Sequence, residues 1–153
     1  MTKIWIIYNS KHGNCRKLSE EVAIKLQNKF EVKISNISNI TPAEIASEPP
    51  DAILVGARII IGKPDKKIRK FLFKLADCLE SPIPKAGTFY THGDVWLESF
   101  PTLISQLMTL EITEEVFLEI LEIKLQKIKG PAEPGQEKKI EEFVETFSQF
   151  VSV

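Results

Sequence analysis

The chain has 153 residues, 43% of them apolar and 27% charged, with a net charge of −1. That is the make-up of a soluble globular protein long enough to bury one substantial core, so residues 1–153 are expected to form a single domain. The balanced charge leaves no basic footprint for nucleic acid, and no apolar run reaches the roughly 18–20 residues of a membrane span. The amino terminus passes from Met1-Thr2-Lys3 straight into a strand-like run, without the basic region, apolar stretch and cleavage site of a secretory signal. Cys15 and Cys78 are the only cysteines and make no CxxC or metal-finger spacing. Two reduced thiols in a cytoplasmic protein are expected.

Lys3–Asn9 is nearly continuously apolar and reads as a strand buried on both faces. A small polar loop follows, and Leu18, Val22 and Leu26 then mark a helix over about Cys15–Lys29. Phe30–Ile34 alternates like an edge strand. Thr41-Pro42-Ala43-Glu44 starts a short helix, with Thr at N-cap, Pro at N1 and Glu at N3. Asp51–Ala57 is the clearest buried strand, bounded by Pro49-Pro50 and followed by an expected loop, Arg58–Lys63. Ile68, Phe71, Leu72 and Leu75 give one stripe of a helix over Asp65–Leu79. Ala86–Tyr90 is a further buried strand, opening into the loop Thr91–Leu97. Phe100–Leu110 reads as a helix with Leu103, Leu107 and Leu110 inward. Glu115–Ile128 suits either a helix or a strand; a long strand is expected, because a sheet topology needs one there. An amphipathic helix, Lys138–Val151, closes the chain.

Strands alternating with helical patterns, five of each, imply βαβ units: an α/β protein of three layers around a doubly wound five-stranded parallel sheet. The first turn carries a small polar loop, and in such sheets ligands sit at the carboxyl ends of the strands where the order reverses. Three loops qualify: Ser10–Cys15, Arg58–Lys63 and Thr91–Leu97. The first leads free backbone N–H groups into a helix N-terminus, a site for a phosphate dianion. It is neither GxGxxG nor GxxxxGK(S/T), and one Gly suits a monophosphate better than a pyrophosphate. The alternative is an ordinary capping loop without a ligand, since Ser and Asn are common caps.

Ile6-Ile7-Tyr8-Asn9-Ser10-Lys11-His12-Gly13-Asn14-Cys15 resembles the FMN-phosphate motif of flavodoxins, an apolar strand followed by Ser/Thr-x-Thr-Gly-Asn-Thr. Ser10, Gly13 and Asn14 match, while His12 and Cys15 stand where the motif has threonines. Val55–Pro64 resembles the segment that flanks the flavin ring, which implies ring contacts from Ala57, Arg58, Ile59, Ile60, Ile61 and Gly62. Ile61 replaces an aromatic there, and Gly62 is free to turn its peptide toward flavin N5. Thr91-His92-Gly93-Asp94-Val95-Trp96 resembles the family's Gly-x-Gly-Asp-x-x-aromatic loop, with Trp96 near the aromatic that covers the outer ring face. The resemblance spans essentially the whole chain and implies strand order 2-1-3-4-5.

It further implies an FMN-binding electron-transfer flavoprotein whose flavin carries the redox chemistry, with no catalytic side chain. Its expected partner is a redox protein or a quinone- or NAD(P)H-linked donor, and its expected state a monomer or homodimer. Arg58 and Lys63 in the ring-flanking loop would raise the flavin potential by stabilising reduced, anionic flavin, unless both simply face solvent. Cys15, at a helix N-terminus, is either a reactive thiolate or a small capping residue. His12, His92 and Asp94 could together ligate a metal. Their overlap with flavin-loop positions argues against it, and no metal is expected. Two other readings remain: a quinone-linked oxidase resembling flavodoxin-like protoporphyrinogen oxidases, and a flavodoxin-fold protein that has lost FMN and acts in protein interaction.

Overall fold

The computed structural model describes residues 1–10, 13–127 and 130–153. Its first strand, β1 (Lys3–Tyr8), shows why both faces of the sheet must be covered. Ile4, Ile6 and Tyr8 enter one core cluster and Ile7 the opposite one, following the two-residue period of a pleated strand. The chain then runs through α1 (Asn14–Leu26), β2 (Glu31–Asn36), a 3-10 turn and α2 (Pro42–Ser47). Next come β3 (Ala52–Ile60), β4 (Lys63–Pro64), α3 (Lys66–Cys78) and β5 (Ile83–His92). The chain closes with α4 (Thr102–Leu107), a π-helical turn, β6 (Thr113–Lys124) and α5 (Glu137–Ser152).

The sheet order is β2-β1-β3-β5-β6, all parallel, with β4 folded back antiparallel on β3. Apart from β4 this is the expected 2-1-3-4-5 order. The helices α1 and α5 cover one face through Leu18, Val22, Leu26, Phe143 and Phe147. On the other face lie α3 and α4, through Ile68, Leu72, Leu75, Ile104 and Leu107. Burying side chains of this size yields about 1.5–3 kcal/mol each, which is what holds the three layers together. The Thr41 cap forms as expected: its Oγ1 accepts from the Glu44 N–H at 3.2 Å.

Three segments depart from expectation. Arg58–Lys63 is not an open loop: the β-branched run continues β3 to Ile60, and Ile61-Gly62 turns it back into β4. The helix expected over Phe100–Leu110 is shorter and gives way to a π-helical turn, Met108–Ile112. Its inward side is therefore Ile104, Leu107, Met108 and Ile112, while Leu103 and Leu110 face out. The ambiguous segment is indeed a strand, but an edge strand that ends at Lys124 and leaves Leu118 exposed. The expected continuation to Ile128 reaches outside the described residues.

The hairpin turn is strained. Ile61 and Gly62 both adopt positive φ, 49° and 74°, as a two-residue type I′ turn demands. For a β-branched residue that conformation costs on the order of 1–2 kcal/mol, and Ile61 is 97% exposed, so packing does not offset it. Ile61→Asn should therefore stabilise the protein by about 1 kcal/mol, read as a higher denaturant midpoint at unchanged slope. A lower midpoint would show that the isoleucine side chain itself stabilises the turn.

Candidate functional site

The order reverses between β1 and β3, and there the carboxyl ends of β1, β3 and β5 open a cleft. Each element delivers side chains because its strand ends there. After β1 come Ser10, Asn14 and Cys15; β3 supplies Arg58, Ile59 and Ile60; β5 supplies Thr91, His92 and, just beyond, Gly93. Leu125, one residue past β6, closes the far side.

The first turn of α1 is open. Its N-cap is Gly13, at φ 85°, with no side chain capping the helix, so the leading N–H groups lack intrahelical partners. The Ser10 Oγ accepts from the Gly13 N–H at 2.9 Å, which shapes the loop ahead of the helix. Two side chains add donors: Asn14 Nδ2 and Thr91 Oγ1 are buried with no hydrogen-bond partner among the described residues. Unpaired N–H groups, an unpaired amide and an unpaired hydroxyl meeting at one helix N-terminus make an anion site.

Cys15 does not act as the reactive thiol that its helix position allowed. Its side chain is fully enclosed in the core with Tyr8 and Leu18. Burial pushes the thiol up to about 12, although the Arg58 charge acts the other way.

Asp65 was visible in sequence only as a helix start, yet it organises the cleft. It is 3% exposed. Its Oδ1 accepts from the Lys67 N–H at 2.7 Å, capping α3. Its Oδ2 accepts from Asn9 Nδ2 at 2.8 Å and from Arg58 Nη2 at 3.1 Å. One carboxylate thus ties the loop after β1 to the hairpin and to α3. Arg58, half-buried at the cleft, is accordingly paired with the buried Asp65 and is not a free cation; Lys63 is exposed on the outside of the hairpin.

His92 belongs to the end of β5, not to a loop. Its Nδ1 lies 2.8 Å from the Gly93 carbonyl and its Nε2 2.8 Å from Glu122 Oε1 on β6. Burial tends to raise the Glu122 carboxyl. Hydrogen bonds from Lys139 and His92 outweigh it, and the net shift is downward. Asn9, Asp65, Glu122 and Leu125 are the site residues that sequence reading did not single out. Asn9 and Asp65 are 56 residues apart, and Glu122 is 30 from His92 and 17 from Lys139, separations beyond any local pattern.

The remaining expected residues are placed as follows. Ala57 is buried inside β3. Ile61 and Gly62 form the hairpin tip, Gly62 facing the Phe100 ring. Asp94 is exposed. Trp96, half-buried, joins an aromatic cluster: His92 at 5.1 Å, Tyr90 at 6.0 Å and Phe100 at 5.8 Å, edge-on. Lys11 and His12 lie outside the described residues.

A doubly wound sheet of this order, with an open helix N-terminus at its switch point, defines a flavodoxin-like fold. A family model described as Flavodoxin domain matches residues 5–86, more than half of the chain, and the chain belongs to that family. Among solved structures it is similar to a flavodoxin from the domain Archaea, at 19% identity and TM-score 0.76, covering 99% of this chain and 100% of that one. Flavodoxin 1 from Bacillus cereus aligns at 19% identity and TM-score 0.72, covering 99% and 98%. Rubredoxin oxygen:oxidoreductase from Desulfovibrio gigas aligns at 15% identity and TM-score 0.78, covering 99% of this chain and 36% of that one. At these identities the likeness establishes the fold. No curated protein sequence matches. Among the described residues no helix is long and apolar enough to cross a membrane.

Two outcomes follow from this geometry. Asp65→Ala removes the α3 cap and the partner of both Asn9 and the half-buried Arg58, and should cost about 2–3 kcal/mol in denaturant unfolding; a loss under about 1 kcal/mol would remove Asp65 from its linking role. Native protein at pH 8 should titrate one thiol with a disulfide reagent, the exposed Cys78, and two after denaturation. Because the folded Cys15 thiol lies above its unfolded value, stability is full below the ordinary thiol range and falls as pH climbs from there toward about 12.

Proposed function

We propose that this protein binds FMN noncovalently in the cleft and exchanges electrons with a redox partner. The observation that carries the reading is the pair of buried, unpartnered polar groups, Asn14 Nδ2 and Thr91 Oγ1, lining the cleft beside the uncapped N-terminus of α1. Leaving such groups unpaired costs about 1–3 kcal/mol each, a cost that an anionic ligand removes. Ser10, Gly13 and Asn14 would hold the phosphate, with Lys11, His12 and Cys15 in the same loop. The flanks of the ring would come from Ala57–Gly62 and from Thr91–Asp94 and Trp96. Flavodoxins among the structural neighbours, and membership of the flavodoxin domain family, support FMN as the ligand.

Bound FMN supplies the redox chemistry, as an acceptor and donor of one or two electrons. The chain itself binds, orients and excludes water. The side chains nearest the mouth are the aliphatic Ile59 and Ile60, since Ile61 points to solvent and Trp96 packs against His92. Ring binding here therefore rests on apolar contact more than on aromatic stacking. The donor or acceptor is a redox protein, or a quinone- or NAD(P)H-linked system.

Titrating apoprotein into FMN should quench flavin fluorescence saturably. Asn14→Ala, which deletes a donor to the phosphate and removes an unpaired buried amide from the empty cleft, should weaken binding by about tenfold with little loss of fold stability. A protein that leaves FMN fluorescence unchanged would sink this reading and favour a flavodoxin fold without flavin.

A further inference from the structure

The hairpin and α3 expose a concentration of positive charge that the fold does not use. In a chain of net charge −1, Lys63, Lys66, Lys67, Arg69, Lys70 and Lys74 fall within twelve residues. The one carboxylate among them, Asp65, is buried and engaged with Arg58. Among the described residues, none of the six makes an ion pair, whereas α1 and α5 carry i,i+4 pairs in Arg16–Glu20 and Lys138–Glu142. Lys66, Lys70 and Lys74 follow one another at i,i+4 along α3, a like-charge spacing that costs a helix a few tenths of a kcal/mol per pair. Five of the six are exposed, and Arg69 is steadied by donating from Nε to the Pro64 carbonyl at 3.2 Å.

Apolar side chains accompany the charge. Ile60 is 45% exposed, Ile61 97% and Phe73 59%. Ile60, Ile61, Lys63, Pro64, Lys66 and Arg69 line a shallow groove. Ile60 lines both this groove and the cleft, so the two adjoin at that residue. The surface is also held in place: Asp65 caps α3 and binds Arg58, and the turn rests on Phe100.

We infer that this basic, isoleucine-tipped face is the docking surface for an acidic electron-transfer protein; the partner's redox character rests on the flavin reading above. Charge of one sign around a small apolar contact steers and orients a partner of opposite sign. Because the groove adjoins the cleft at Ile60, such a partner would sit beside the place where electrons would cross. A lipid surface fits less well. The apolar stripe of α3 (Ile68, Phe71, Leu72 and Leu75) is buried in the core, so the helix has no apolar face to lay into a membrane. Nucleic acid fits less well because the rest of the chain is net acidic.

The probe is an acidic bacterial [4Fe–4S] ferredoxin carrying a fluorescent label, mixed with FMN-treated and untreated protein and followed by anisotropy. Binding should weaken at least about tenfold between 50 and 500 mM salt, and at least about tenfold in the K66E/K70E double variant. K66R/K70R should bind normally, as should Lys138→Glu on the far side of the sheet. Thermal melting checks that each variant is folded; exposed positions relieved of like-charge repulsion should melt no lower than the parent. Absence of binding, or binding indifferent to K66E/K70E, overturns the proposal. So does charge-dependent binding to phosphatidylglycerol vesicles or duplex DNA with none to ferredoxin. Ferredoxin binding without FMN binding upholds the docking surface and ends the flavin reading; FMN binding without ferredoxin binding does the reverse.

Discussion

The Asp65 carboxylate is the constraint on which the rest of the site depends. Taking a charge out of water costs several kcal/mol unless its lone pairs are met. Here they are met by a backbone N–H on one oxygen and by Asn9 and Arg58 on the other. The three donors come from three different elements, so satisfying the carboxylate and assembling the cleft are one event. The hairpin cannot swing away from the loop after β1 without stranding both charges. A rigid frame around a ligand mouth reduces the ordering cost of binding. That role suits an aspartate better than an apolar residue of equal volume, which would pack but hold nothing in register.

Against this well-satisfied centre, the cleft keeps its deficits at the rim. Asn14 Nδ2 and Thr91 Oγ1 are unpaired, α1 begins without a side-chain cap, and Ile61 holds a left-handed conformation at the hairpin tip. Each costs stability, and each lies toward the carboxyl end of the sheet. Elsewhere buried hydroxyls are mostly paired: that of Ser19 donates to the carbonyl four residues back, and that of Thr113 to Ile83, while the Tyr90 hydroxyl, inside the core, is a further unpaired group. Unmet donors beside an uncapped helix N-terminus are what a ligand would be expected to satisfy.

Most of the architecture could be read from periodicity. Runs such as Ala52–Val55 have no other reading than a strand covered on both faces, and Thr41-Pro42 carries its own cap chemistry. What escaped was set by contacts distant in sequence. Arg58–Lys63 looked like a loop because Gly62 and Pro64 punctuate it, yet pairing with β3 makes a hairpin of it. Leu110 looked inward because α periodicity was extended into a π-helical turn, whose wider i→i+5 winding shifts the phase. The neighbours of Trp96 (Tyr90, His92 and Phe100) are likewise set by the fold and not by the Gly93-Asp94 that precedes it.

The charges of the second loop show the same limit most sharply. In sequence, Arg58 and Lys63 are two cations beside a ligand, and together they suggest a raised redox potential. In three dimensions they part. Arg58 turns in and is neutralised by Asp65 at 3.1 Å, so its field at the cleft is that of a dipole, which decays faster than that of a free charge. Lys63 turns out and joins the lysines of α3 on a solvated face, where ions screen it within about 8–10 Å. An exposed, screened charge acts weakly on a buried cofactor and strongly on an approaching macromolecule, whose many charges respond to the whole patch. On the flavin reading, the basic character of this segment would therefore bear on the choice of partner more than on the potential of the cofactor.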